Sequence, residues 1–142
     1  MRYFVSLVWL VLAACTSYGQ PFYEWSGNWI GHSHITVDWC EQDTLSFDLQ
    51  ITTDGDLTGN IGDAVIKSGS IEAVEGQPNS YVIYAKLRGS LIECEAIKRT
   101  VIYINLSKKG DVATGDFYTE GRSLGKKESG VLTGNDLMLV YK

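Results

Sequence analysis

The sequence predicts an all-β protein, a single antiparallel up-and-down barrel of about eight strands, and three observations support this prediction. Nearly every apolar run alternates with polar residues at the two-residue period of a strand, and no window keeps a helical period. The chain has 15 Gly but only 2 Pro, which favours many tight turns. A meander of short strands without helices over its edges usually closes on itself.

The strands follow from this alternation in chain order. In the first, Trp29 to Trp39, the odd-numbered side chains form the inward face and most of the others are polar. The second contains Phe47, and the hairpin signal Asp54-Gly55 separates it from the third, which starts at Leu57. The remaining strands are predicted at Ala64–Lys67, Ser70–Val74, Tyr81–Leu87, Thr100–Ser107, Val112–Thr119 and Leu137–Tyr141.

Turns are predicted between these strands. One of them is Gly134-Asn135-Asp136, just before the last strand, because these residue types favour turn conformations. Residues 91–98 fit a short strand, a loop or one helical turn, and the pattern does not decide among these.

The first residues are typical of an export signal. A basic start precedes an apolar run that is shorter than the ~20 residues needed for a spanning helix. Residues 12–15, Leu-Ala-Ala-Cys, resemble a bacterial lipobox, which implies lipidation of Cys15. Thr16 follows in place of the Asp that retains many lipoproteins at the inner membrane, so an outer-membrane anchor is the first expectation. The alternative is cleavage after Gly19 and export to the periplasm or the medium.

These features divide the chain into three parts. We expect an export signal at 1–19 with its lipobox at 12–15, a tether and entry turn at 20–28, and the barrel domain at 29–142. A lipid on Cys15 leaves Cys40 and Cys94 in an oxidising compartment, which predicts a disulfide bond between them. Two separate buried thiols are the alternative.

The charge balance excludes one class of partner. The chain has 12 Lys and Arg against 17 Asp and Glu, a net charge of -5. Phosphate binding needs clustered basic residues, so no nucleic acid is expected as a partner. A hydrophobic content of 44% argues against disorder.

Two groups of motifs resemble known proteins. Trp25-Ser26-Gly27-Asn28-Trp29-Ile30-Gly31, followed by hairpins with Thr-Gly, resembles small lipocalin-like (calycin) barrels, the avidins among them. The turn motifs at 57–64, 87–91 and 125–128 resemble a group of small exported bacterial proteins with no assigned activity. The resemblance implies a lipocalin-like barrel, and it transfers no binding residue to this chain.

No pattern in the chain predicts an enzyme. His32 and His34 have a spacing that metal sites use, but they lie on the polar face of the first strand, so we expect solvent exposure and no metal. Most aspartates, such as Asp54 and Asp136, are predicted in turns, where they cap their own backbone. No nucleophile elbow is present, and no cofactor is expected.

We therefore expect a non-enzymatic binding module of the bacterial cell envelope. Two modes of binding are open. The first is a small apolar ligand inside the barrel, where small residues lie beside aromatic ones; the alternative is that opposing aromatic rings fill that space. The cavity candidates are Trp29, Gly31, Ser33, Phe47, Ala85 and Phe117. The second is a protein partner or homodimer on the outer wall, where Tyr84, Val101 and Tyr103 form an apolar second face unless loops 75–80 and 120–130 cover it.

Overall fold

The computed structural model describes residues 22–37, 41–92, 97–123 and 129–142, and it consists of β-strands joined by turns. The described parts contain no helix, and therefore none long and apolar enough to span a membrane. The strands are β1 (Gly27–His34), β2 (Thr44–Ile51), β3 (Leu57–Ile61), β4 (Ala64–Ala73), β5 (Ser80–Arg88), β6 (Ile97–Arg99), β7 (Val101–Lys109), β8 (Val112–Ser123) and β9 (Ser129–Tyr141).

Eight of these strands form a closed antiparallel barrel. The order is β8-β7-β5-β4-β3-β2-β1-β9, and the ring closes because β9 also pairs with β8. The short β6 pairs with the far end of β8, beyond the part of β8 that pairs with β7. The predicted all-β, up-and-down barrel is therefore confirmed, with one additional short strand.

Alternating side chains build one core inside this barrel. The aromatic pairs Phe47–Phe117 and Trp25–Trp29 have ring centroids 5.6 Å and 4.8 Å apart. Aliphatic side chains from β2 to β5 and from β7 to β9 fill the space between them, among them Leu45, Leu49, Ile61, Ile66, Ile83, Ile104, Ala113 and Leu139.

The packed part of the chain begins before the predicted boundary at residue 29. The turn at residues 23–25 precedes β1 and buries Trp25 almost completely against Trp29 and Tyr81. The Nζ atom of Lys108 lies 5.9 Å and 5.7 Å from the ring centroids of the two tryptophans, where its charge is attracted to the ring faces. This cluster closes one end of the barrel.

Two predicted interruptions are absent. β4 is one strand rather than the predicted pair Ala64–Lys67 and Ser70–Val74, because a register shift between Ile66 and Ser68 accommodates the extra residue. The predicted turn at residues 134–136 is also wrong, since these residues lie inside the 13-residue strand β9. Pairing with β8 at Gly134 and Leu137, on either side of a bulge, keeps the segment within β9.

Several predictions concern residues outside the described ranges. The export signal, the lipobox with Cys15, and the proposed partners Cys40 and Cys94 all lie there. Of the segment left open at 91–98, residues 97 and 98 belong to β6.

Gly31 is a glycine because two strands approach closely at that point. A Cβ atom there would lie 1.8 Å from the carbonyl oxygen of Met138 on β9. Gly115 has the same constraint, since its Cβ would lie 1.7 Å from the carbonyl oxygen of Asn105 on β7. Close backbone approach is therefore sufficient to explain both small residues.

We predict that Gly31→Ala destabilises the barrel by about 1–3 kcal/mol, because a backbone carbonyl must move to admit the methyl group. Ser46→Ala is the matched control, since Ser46 is exposed on the adjacent strand and pairs with His32. Urea unfolding of both variants checks this, and equal midpoints for Gly31→Ala and wild type would contradict it.

Candidate functional site

The predicted cavity candidates lie in a filled interior. Trp29, Ser33, Phe47, Ala85 and Phe117 have at most 2% of their surface accessible, and Gly31 lies half-buried against β9. A hollow lined by these residues would leave their side chains accessible to a water-sized sphere. The described side chains therefore fill the space between the strands.

The outer wall carries a row of three tyrosines on neighbouring strands. Tyr84 on β5 pairs with Tyr103 on β7, and Tyr103 pairs with Tyr118 on β8. The rings of Tyr84 and Tyr103 are 5.2 Å apart at their centroids. We call Tyr84, Tyr103 and Tyr118 the tyrosine row.

The described parts of the chain leave the tyrosine row open to solvent. Tyr103 is 46% exposed and Tyr118 is 37% exposed, while Tyr84 is half-buried beside them. The sequence suggests Tyr84, Val101 and Tyr103 for this face. Tyr118 is missed, because alternation places it outward but only the register of β7 with β8 sets it beside Tyr103.

Polar and charged residues surround the row. Lys86 on β5 pairs with Val101 on β7 and is exposed. On β8, Glu120 accepts a hydrogen bond from the hydroxyl of Tyr118, and this bond raises the pKa of Tyr118. Asn105 Nδ2 donates to Asp116 Oδ1 at 2.7 Å on the opposite side of the row. An aromatic centre inside a polar rim is the usual composition of a protein-binding surface.

A second polar cluster lies where β9 meets β1. A bulge in the pairing of β9 with β8 puts Asn135 and Asp136 on the outer face in succession. Asp136 Oδ1 accepts hydrogen bonds from Ser33 Oγ at 2.8 Å and from the backbone N–H of His34 at 2.9 Å. Asp136 Oδ2 lies 2.5 Å from His34 Nδ1. Asp136 therefore joins two strands, and its predicted role as a turn cap is wrong.

This cluster contains Ser, His and Asp but lacks the arrangement of a hydrolase. A nucleophilic serine needs a hydrogen bond to the histidine that takes its proton. Here Ser33 and His34 both bond to the carboxylate of Asp136 instead. His32 lies nearby, with its ring centroid 6.3 Å from that of His34. Within the described ranges, no three His, Cys, Asp or Glu residues are grouped so that they could hold a metal ion.

The contact between His34 and Asp136 shifts the pKa of both side chains. The hydrogen bond from the His34 ring, followed by those from Ser33 Oγ and the His34 backbone, lowers the pKa of Asp136 to about 2. The same side-chain bond and the negative charge of Asp136 raise the pKa of His34 above 6.5. Since the side chains are 71% and 45% exposed, the pair contributes little stability.

Comparisons with family models, with curated proteins and with solved structures each give no significant match to this chain. The argument for function therefore rests on the residues of the chain itself.

The His34–Asp136 pair predicts a pH-dependent contribution to stability. The raised pKa of His34 gives stability below about pH 6.5 that is lost as the pH rises through the folded-state value. The lowered pKa of Asp136 gives stability above about pH 4 that is lost as the pH falls towards about 2. We expect the Tm difference between wild type and His34→Ala to be largest between about pH 4 and 6.5.

Thermal unfolding in low salt at acidic, mildly acidic and alkaline pH measures this difference. His32→Ala is the control, because His32 lies on the same strand face without a carboxylate bond among the described contacts. A Tm difference for His34→Ala that stays constant across the three pH values would contradict the assignment.

Proposed function

We propose that this protein is a non-enzymatic binding module of the bacterial cell envelope, a lipocalin-like barrel that recognises a protein partner through its outer wall. The observation that carries the proposal is the exposed tyrosine row on a barrel whose described interior is filled. This combination favours the outer wall over carriage of a small apolar ligand, the other function that the sequence suggests.

The chemistry of the row suits a protein partner. Tyrosine provides a large apolar contact area together with a hydroxyl group, and it is enriched at the centres of protein interfaces. Three hydrogen-bonded strands fix the positions of the rings in advance, so that binding orders few new groups. The charged side chains of Lys86 and Glu120 beside the row add specificity rather than area.

The first residues of the sequence support the proposed location at the cell envelope. A lipid on Cys15 would hold the protein at a membrane, since two or three acyl chains anchor a protein firmly and a single one does not. The backbone N–H of Phe22, seven residues after Cys15 in the sequence, donates to the carbonyl oxygen of Thr53 at 2.8 Å. The tryptophan cluster of Trp25 and Trp29 at the closed end supports the lipocalin-like reading of the barrel.

Site-specific photocrosslinking in cells of the natural host tests the proposal. A photoreactive phenylalanine analogue at position 103 is expected to give one discrete crosslinked protein species. The same analogue in place of Gln50 is the control, because Gln50 is exposed on β2, outside the strands that carry the tyrosine row. Equal patterns from both positions, or no crosslinked species from position 103, would contradict a protein-binding role for the row.

A further inference from the structure

We propose that the tyrosine row binds a second copy of this chain, in a symmetric dimer whose twofold axis runs along β7. The inference rests on the proposed function, because it names the partner of the same face. It is carried by the placement of two opposite charges on either side of β7.

These charges are Lys86 and Glu120. Lys86 on β5 pairs with Val101 on β7. On the other side of Val101, Thr119 of β8 donates its hydroxyl to the Val101 carbonyl oxygen at 2.6 Å, and Glu120 is the next residue after Thr119. The two side chains therefore lie at the same level of the sheet, one strand to each side of β7 and about 10 Å apart at the usual strand spacing. Both are exposed.

Among the described residues, neither charge has an oppositely charged partner within ion-pair distance. The one ion pair within 4.0 Å among the described residues is that of His34 with Asp136. Glu120 accepts a hydrogen bond from the Tyr118 hydroxyl, and this neutral donor adds no opposite charge beside Glu120. Lys86 and Glu120 are thus available to an opposing surface.

A twofold axis along β7 makes the face complementary to itself. The rotation places β8 of the second copy over β5 of the first, so that Lys86 of each copy faces Glu120 of the other. Tyr84 then faces Tyr118, and Tyr103 faces its own equivalent at the axis. Because such a contact is isologous, the charge pair forms twice. Two sheet faces stacked in nearly the same direction pack about 10 Å apart.

The other face-to-face symmetry is unfavourable. An axis across the strands, through the tyrosine row, would place Glu120 of one copy over Asp116 of the other, since these residues lie two positions to either side of Tyr118 on β8. Two carboxylates would then oppose each other in both halves of the dimer. Like charges at a contact weaken it, so the charges favour the axis along β7 over an axis across the strands.

This axis also agrees with a membrane anchor. A rotation about the direction of β7 leaves that direction unchanged in the second copy, so the barrel ends at which β1 begins lie on the same side of the dimer, with the two barrel axes inclined to each other by the strand tilt. Two lipid anchors at Cys15 then reach one membrane. An axis across the strands would point them in opposite directions.

Charge reversal tests the inference on the full-length chain by sedimentation equilibrium. We expect Lys86→Glu and Glu120→Lys each to weaken the wild-type dimer at least about tenfold, because each puts like charges together twice. The double variant is expected to regain the dimer, and an equimolar mixture of the two single variants is expected to form a mixed dimer. Lys142→Glu, at the exposed C-terminal residue, is the control and should dimerise like wild type.

A wild-type chain that stays monomeric at high micromolar concentration would overturn the dimer, and so would single variants that dimerise as wild type does. Melting temperatures of the variants show whether each one is folded. If the wild type is monomeric while position 103 still crosslinks to a different protein, the dimer is wrong and the proposed function stands. If position 103 crosslinks to nothing and the chain is monomeric, both fail.

Discussion

Closure of the barrel through β9 is the contact on which the rest of the structure depends. β9 pairs with β1 on one side and β8 on the other, so every barrel strand has two neighbours. Eight strands enclose a space just wide enough for side chains, and the aromatic pair of Phe47 and Phe117 with the surrounding aliphatic residues fills it. The same closure requires glycine at position 31, where a Cβ atom would lie 1.8 Å from the carbonyl oxygen of Met138 on β9.

Because the described core side chains are almost fully buried, we propose recognition on the outer wall. The strands that pack the core also hold the tyrosine row, because alternation sends Ile83, Ile104 and Phe117 inward and their neighbours outward. The same strands therefore position the core and the tyrosine row, and the rings need no loop to position them. The bulge near Asp136 has a comparable origin, since the extra residue in β9 turns a carboxylate towards β1.

The sequence predicts the parts of this structure that depend on a two-residue period. The burial of Trp29, Ile35 and Phe47 follows from alternation, and so does the all-β class. Contacts between strands distant in sequence do not follow from it. Gly134-Asn135-Asp136 is predicted as a turn because its local preferences are strong, and pairing with β8 on either side of a bulge keeps it within β9. Tyr118 joins the candidate site through a register that no local pattern encodes.

The central claim is that this barrel works with its outer wall and carries nothing inside. Native mass spectrometry of the protein, extracted from its natural host without denaturation, tests that claim most directly. The account predicts a mass that is a whole multiple of the polypeptide with any covalent lipid, and no further small molecule. A small apolar molecule retained with every chain, and released only on unfolding, would contradict it.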